Sequence, residues 1–496
     1  MPLMTRQTAN IILYRQHNGL EVFLVSRAKE LNFLGGYLAF PGGKTEPGDE
    51  TLPLEEAVDS QRRALLGCAV RELFEETGVL AAENSSLSKK ETATLRLELL
   101  REGRAAAFYS TLAASGATLR QNTLHQALRL VTPRFSRERY SSTFFLMETA
   151  EEPEILPGEL AGGRWCSPAG ALAEWERGEL LLAPPVIVIL RQLADGITPA
   201  ALESLQSSPQ KFEGSGLAIP WGPGIEILPF HCPPLPPTLP SSTFLVGARR
   251  FLVLDPSPSG EQEQQHLLKA IENRLSAGDQ PEAIVLSHHH IDHVGALDAV
   301  LERWDLPCWG HRRTAELLER SFERELTDND IIELGDSPDG TAGWQLRCLF
   351  TPGHAEGHLA FYDARHKALL AGDLLSTLVS MYVGTPGGHL ETYFQSLEKI
   401  RALDTRLLYP SHGMPTLEGE ALIDKTIKHR RRRIEQVQEV LSQKPGHVLE
   451  ISREVYDHKK DSRLRPLYER TTRAALEYLV ENGRARRPED DLYEAC

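Results

Sequence analysis

Residues 288–293 read His-His-His-Ile-Asp-His, which crowds imidazoles and one carboxylate into six positions. A neutral imidazole nitrogen binds borderline cations, so a metal site is the chemistry this spacing suggests. On an extended backbone His288 and His290 point the same way, and Asp292 and His293, coming off the turn into a helix, can face a second metal. The competing reading is a solvated His-rich loop, or Asp292 acting only as a helix cap. A second cluster lies at Glu72, Glu75 and Glu76. Spaced i, i+3 and i+4, these carboxylates share one helix face and repel unless cations bind there. Here the competing reading is an ordinary solvated acidic face.

The elements that must position these groups are short apolar runs. Residues 283–286 (Ala-Ile-Val-Leu) form a buried strand that ends at the His-rich loop. Three later runs end the same way: 346–350 before Thr351-Pro352-Gly353-His354, 369–372 before Asp373, and 407–411 before His412. Over about residues 225–420 this set resembles the metallo-beta-lactamase superfamily, whose motif is H-x-H-x-D-H followed by a separate His, Asp and His. The resemblance implies an αββα sandwich. It also implies one metal on His288, His290 and His354, another on Asp292, His293 and His412, and Asp373 bridging them. Donors that are all N and O suit zinc and also admit iron or manganese. Two such metals lower the pKa of a shared water to about 7 and present hydroxide, which Asp292 would orient. The chemistries implied are hydrolytic, on thioesters, beta-lactams or phosphodiesters. Asp255, after the apolar run 251–254, is expected to support the loop, and His358, His389 and His429 are expected to be structural or to support the ligands from behind.

The N-terminal half begins with two strands, 9–14 and 22–26, then a glycine-rich stretch, 35–44. With the acidic helix, this stretch resembles the Nudix box, G-x5-E-x7-R-E-U-x-E-E-x-G-U, where U is aliphatic. Gly43, Arg71, Glu72, Glu75, Glu76 and Gly78 match it. The first acidic position falls on Asp49, and 21 residues (50–70) separate it from Arg71, so an insertion is placed at about 50–66. Arg134-Phe135, Thr143 to Leu146, Glu159, Trp165 to Pro168 and Leu182 to Pro185 resemble the Nudix hydrolases related to the peroxisomal coenzyme A diphosphatase. The resemblance implies Mg²⁺ or Mn²⁺ on Glu72, Glu75 and Glu76, with Glu75 catalytic, Glu159 a candidate base and Arg71 orienting the glutamates.

At 496 residues the chain is too long for one ordinary core. The expected division is a Nudix domain at 1–196 with accessory helices at about 84–127, a linker at 197–222, a metallo-beta-lactamase domain at 223–420 and a tail at 421–496. The fold class is therefore multidomain α/β. The tail reads as short helices over 445–487, and it resembles the winged-helix-like tail of beta-lactamase-like endoribonucleases. It carries the run Lys428-His429-Arg430-Arg431-Arg432-Arg433, which is either a solvated helix face or a grip on phosphate. A net charge of −15 gives no general sign of nucleic-acid binding. Six scattered cysteines without a C-x-x-C pair exclude a thiolate zinc site, and no apolar run approaches a membrane span. Without a signal-like start, the expected location is the cytoplasm. Three functions remain open: a two-headed hydrolase acting on nucleoside-diphosphate and thioester substrates, a C-terminal endoribonuclease or phosphodiesterase acting on RNA, and a Nudix half that senses a nucleotide. No oligomeric state follows from the sequence.

Overall fold

The computed structural model describes residues 5–31, 33–102, 104–119, 123–133, 138–207, 218–232, 240–456 and 462–496. Arg134-Phe135, part of the Nudix subgroup resemblance, lies outside them, as do residues 208–217 of the expected linker. The chain divides into two compact units, one of residues 1–215 with 219–223 and one of 216–218 with 224–496.

In the first unit a mixed sheet runs Leu38–Ala39, Leu20–Arg27, Arg6–Gln16, Tyr140–Glu148, His125–Val131. Gly42–Lys44 also pairs with Arg6–Gln16, and Leu160–Cys166 with Leu20–Arg27. Strand residues alternate between faces. Ile11, Leu13, Phe23 and Val25 join one core with Leu66, Val70, Leu73 and Phe74 of the helix Ser60–Thr77. Ile12, Val22 and Leu24 join a second core with Val186, Ile187 and Leu190 of the helix Pro184–Leu193. The unit is thus an α/β/α sandwich.

Helix Ser60–Thr77 starts at the Asp59 cap, whose side chain accepts from the Arg62 N–H, and stops at Gly78, whose φ of 74° suits glycine. Residues 60–66, expected within the insertion, are therefore its first turns, and the irregular part shrinks to the 3₁₀ turn Asp49–Thr51 and residues 52–59. The accessory region contains helices Lys89–Glu102 and Ala105–Ala114. The expected linker is partly structured, because Pro199–Ser207 is a helix that buries Ala201 and Leu205 in the second core. Its Ser- and Gln-rich composition masks that i, i+4 apolar pair.

The second unit holds two large sheets and a small third one in its tail. Six strands run Arg324–Glu325, Cys308–Gly310, Gln280–Val285, Arg250–Leu254, Pro240–Val246, Ile225–His231. Five run Ile331–Gly335, Trp344–Phe350, Leu359–Asp363, Ala368–Ser376, Leu407–His412. The sheets meet face to face, with Phe244 edge-on to Tyr409 at 6.3 Å between centroids. Helices Glu261–Ser276 and Leu297–Trp304 cover the first sheet. Leu390–Arg401 and the tail helix Gly419–Gln443 cover the second, which completes an αββα sandwich. The tail continues with helices Val448–Val455 and Arg465–Glu481. It also contains a three-stranded sheet, Gly446–His447, Leu492–Ala495, Ala485–Glu489, which the residue pattern over 445–487, read as short helices, did not indicate. The charged run 485–489 exposes all but Ala485, so no apolar alternation announced that strand. Among the described residues no helix is long and apolar enough to cross a membrane.

Candidate metal centres

Strand ends of both sheets of the second unit converge on one point. His288 and His290 follow Gln280–Val285, His354 follows Trp344–Phe350, Asp373 lies in Ala368–Ser376, and His412 ends Leu407–His412. Among the described residues two groups bring their donor atoms within 4.8 Å of one another: His288, His290, His354 and Asp373, and Asp292, His293 and His412. Asp373 divides its oxygens between them. Its Oδ2 lies 3.3 Å from His354 Nε2 and 3.9 Å from His288 Nε2, while its Oδ1 lies 3.4 Å from His293 Nε2 and 3.3 Å from His412 Nε2. Asp292 Oδ2 is 3.4 Å from His412 Nε2 and its side chain stays 24% exposed, so it faces both the cluster and solvent.

Four of the five imidazoles, His288, His293, His354 and His412, are held from behind. Asp255, φ 51°, accepts from Ser287 N–H (2.7 Å), Ser287 Oγ–H (2.6 Å) and His293 Nδ1 (2.9 Å). Ser287 Oγ lies 2.9 Å from His288 Nδ1. His354 Nδ1 donates to the Tyr382 carbonyl at 2.7 Å and His412 Nδ1 to the Pro240 carbonyl at 2.9 Å. A proton fixed on Nδ1 leaves the Nε2 lone pair for a cation. His290 instead turns Nδ1 inward, 3.0 Å from the Nε2 atoms of both His288 and His354. His358 stays outside the donor set and accepts the Asp373 N–H at 3.0 Å. A Cβ on Gly372 would lie 2.5 Å from that imidazole at φ +55°, so this contact requires glycine. The supporting carbonyls of Tyr382 and Pro240 had no sequence signal, because any residue supplies a carbonyl.

Charge is set by the same geometry. Burial and the neighbouring imidazoles hold His288 well below the usual histidine range, and burial, with His289 beside it, takes His290 down to about 4. Burial also opposes charge on His293, but Asp373, Asp292 and Asp255 outweigh it and raise the ring well above its ordinary value. Although burial opposes charge on Asp373, His412 and His293 keep it well below the carboxylate range. His293 Nε2 and Asp373 Oδ1 are buried without a hydrogen-bond partner, and each looks into the cluster. The unprotonated nitrogens of His288, His290 and His354, the carboxylate oxygens and the two orphaned buried atoms fit cations, which would displace the proton held by His293.

In the first unit the three glutamates do not converge so tightly. Asp49, wholly buried, accepts from Arg71 Nε at 2.9 Å and Nη2 at 3.2 Å. It therefore positions Arg71, which in turn reaches Glu72 at 2.8 Å and Glu75 at 3.5 Å. Gly42 N–H donates to Glu76 Oε2 at 2.9 Å. A Cβ on Gly43 would lie 2.3 Å from Glu72 Oε1, so glycine lets the loop close on the helix. Burial raises all three carboxyls, Glu72 to about 7 and Glu76 well above its ordinary value. Glu159 is exposed at the start of a strand, close enough to Glu75, with Glu46, to raise its pKa further.

A family model described as the metallo-beta-lactamase superfamily matches residues 235–412, and one described as the NUDIX domain matches residues 4–97. A probable metallo-hydrolase, YqgX of Bacillus subtilis (strain 168), is 30% identical over 195 residues, covering 37% of this chain and 89% of the relative. The chain belongs to the metallo-beta-lactamase superfamily. It is a hydrolase with an added Nudix domain. An atrochrysone carboxyl ACP thioesterase of Aspergillus fumigatus is 26% identical over 200 residues, covering 40% of this chain and 58% of the relative. A crystal structure of a NUDIX hydrolase from Alicyclobacillus acidocaldarius is 28% identical with a TM-score of 0.36, covering 42% of this chain and all of that one.

Proposed function

We propose that this is a two-headed, metal-dependent hydrolase. In this reading the domains are 1–196, 223–420 and a winged-helix-like tail at 421–496. The observation that carries it is the split of Asp373: one oxygen faces His288 and His354, the other His293 and His412. His288, His290 and His354 would hold one ion, Asp292, His293 and His412 a second, and Asp373 would bridge. Zinc suits these donors, and iron or manganese is also compatible. The ions, when bound, supply Lewis acidity and make water acidic enough to attack near neutral pH. Asp292, half-open to solvent and 3.4 Å from His412, orients the attacking water and takes its proton. The thioesterase among the relatives favours a thioester or related ester as substrate.

The Nudix half would hold Mg²⁺ or Mn²⁺ on Glu72, Glu75 and Glu76 and cleave a nucleoside-diphosphate-linked compound such as coenzyme A. Glu75, flanked by Glu46 and Glu159, is the most accessible of the three carboxyls for proton transfer, and Glu159 stands by as a base. Beside the box, Lys44 Nζ lies 5.6 Å from the Tyr140 ring centroid, and Phe33 meets the same ring edge-on at 5.6 Å. A cation and an aromatic pair suit a diphosphate and a base. The acidic cluster Glu72, Glu75 and Glu76 favours cleavage over nucleotide sensing.

The endoribonuclease alternative rests on the basic tail. Two of the four arginines in its run are packed into the fold, Arg430 buried over Tyr393 at 5.9 Å and Arg433 half-buried over Tyr456 at 4.9 Å, while Arg431 and Arg432 are exposed. That weighs against a free phosphate grip. The test is a panel of coenzyme A, acyl-coenzyme A, ADP-ribose, NADH, glutathione thioesters and short RNA, run on Glu75→Gln and Asp292→Asn beside the parent. Each variant should lose one activity and keep the other. RNA cleavage that Asp292→Asn abolishes, without any thiol release by the parent, would replace the thioester reading.

A further inference from the structure

The loop 377–389 separates Asp373 from helix Leu390–Arg401, and it supplies the carbonyl that fixes His354. Among the described residues none of its side chains belongs to either donor group, yet the tail grips it through three side chains and through the Thr385 N–H, which donates to the Arg470 carbonyl at 3.4 Å. Ser380 Oγ lies 3.0 Å from His429 Nδ1, on the helix Gly419–Gln443. Thr385 Oγ1 donates to Glu477 Oε2 at 2.6 Å. His389 Nε2 lies 3.0 Å from both oxygens of Glu481. Glu477 and Glu481 are four residues apart on helix Arg465–Glu481, so one helix face presents both acceptors.

These contacts lead to His354 by two routes. Tyr382, between the Ser380 and Thr385 anchors, offers its carbonyl to His354 Nδ1 at 2.7 Å. The backbone N–H of His389 donates to the carbonyl of Gly353, the residue before His354, at 2.8 Å. Gly353 has φ +127°, and a Cβ there would meet Tyr393 at 2.4 Å, so the turn has no room to settle elsewhere. A ligand's supporting acceptor sets both its tautomer and its ring orientation.

We infer, taking His354 as an ion ligand as proposed above, that the C-terminal tail is a working part of the metal centre, with Glu477 and Glu481 as positioning residues that orient His354 through loop 377–389. The tail is then a component of the hydrolase rather than an appended recognition module. Its loss would be felt first as weaker metal binding at one of the two positions.

Zinc binding to the full-length chain, measured by competition with a chromophoric chelator, tests this. Glu477→Ala/Glu481→Ala should bind one of two zinc ions about tenfold more weakly, the low end for losing a ligand's support. The His354 Nδ1 proton signal should broaden in NMR spectra, while the melting temperature of the metal-free protein stays close to the parent's. Glu477→Gln/Glu481→Gln keeps acceptor oxygens for the Thr385 hydroxyl and a neutral His389, and should restore binding. A folded double-alanine variant that binds both ions like the parent overturns the inference. If that variant does not fold, Thr385→Val removes one donor alone and should weaken zinc at the same position; unchanged binding overturns the inference equally. If His354→Ala itself binds two zinc ions as tightly as the parent, the fault lies with the ligand assignment and not with the tail.

Discussion

Asp255→Asn should disable one metal position without unfolding the protein. Asp255 Oδ1 takes the Ser287 N–H at 2.7 Å, and an amide oxygen can keep that bond. Oδ2 takes the Ser287 hydroxyl at 2.6 Å and His293 Nδ1 at 2.9 Å, and in asparagine a donor stands in its place. Ser287 adapts, because a hydroxyl can turn to accept and then donate to His288 Nδ1, 2.9 Å away. His293 cannot adapt at no cost. Its Nδ1 must now accept, so the proton moves to Nε2, the atom 3.4 Å from Asp373 Oδ1 that faces the cluster. A protonated nitrogen does not bind a cation. Loss of such support costs about 10–100-fold in metal affinity, or roughly 1.4–2.7 kcal/mol. The fold should survive, since asparagine tolerates φ 51° and one charge-assisted bond is worth about 1.5–3 kcal/mol. Chelator competition gives affinity and stoichiometry, and ¹⁵N chemical shifts of the His293 ring report the tautomer. Two ions bound within twofold of the parent's affinity, with Nδ1 still protonated, would refute the reasoning.

Glu75→Gln should lower turnover of a diphosphate substrate by at least ~10²-fold, the scale of losing a group that stabilises transition-state charge; circular dichroism should remain that of the parent, and an unchanged rate would separate this helix from the reaction. Glu72, raised to about 7 by burial, binds a proton in the fold that it releases at its ordinary 4.5 when unfolded, so metal-free stability falls as pH rises from about 4.5 to 7. Glu72→Gln should therefore gain melting temperature over the parent across that window and hold the gain above it; a gain independent of pH would refute the burial argument. Gly372→Ala should destabilise the second unit by at least ~1–2 kcal/mol for the left-handed backbone alone, with a further loss of metal as His358 is displaced, read by calorimetry with and without zinc.

The metal-site loops were legible because each pairs two strong signals, an apolar run and a ligand-type residue at its end. His288, His354, Asp373 and His412 are separated by up to 124 positions (288 to 412), yet the sandwich brings their strand ends together. What escaped was carried by groups without sequence identity. The carbonyls of Tyr382 and Pro240 fix two imidazoles, but any residue could supply them. Helix Pro199–Ser207 escaped because only Ala201 and Leu205 mark its buried side. The strand Ala485–Glu489 escaped because an exposed edge tolerates charge at nearly every position. The basic run after Lys428 was legible as charge, but its role was not. Whether an arginine faces solvent or a tyrosine ring depends on the tertiary partner.

The two sites solve the same electrostatic problem in opposite ways. In the first unit Glu72, Glu75 and the buried Asp49 surround the guanidinium of Arg71, Glu76 accepts the Gly42 N–H, and burial pushes Glu72, Glu75 and Glu76 toward the protonated form. Such an all-oxygen, charge-rich face gains most from a hard divalent ion, which replaces protons that the carboxylates would otherwise keep. In the second unit two carboxylates are set among five imidazoles, and the balance is internal: Asp373 is held ionised by His293 and His412, while burial keeps His288 and His354 neutral. The His288 and His354 nitrogens, left unprotonated and each met by a partner at Nδ1, suit borderline metals by geometry rather than by excess charge. The two donor sets therefore differ in kind: carboxylate oxygens in the first unit, mostly imidazole nitrogens in the second.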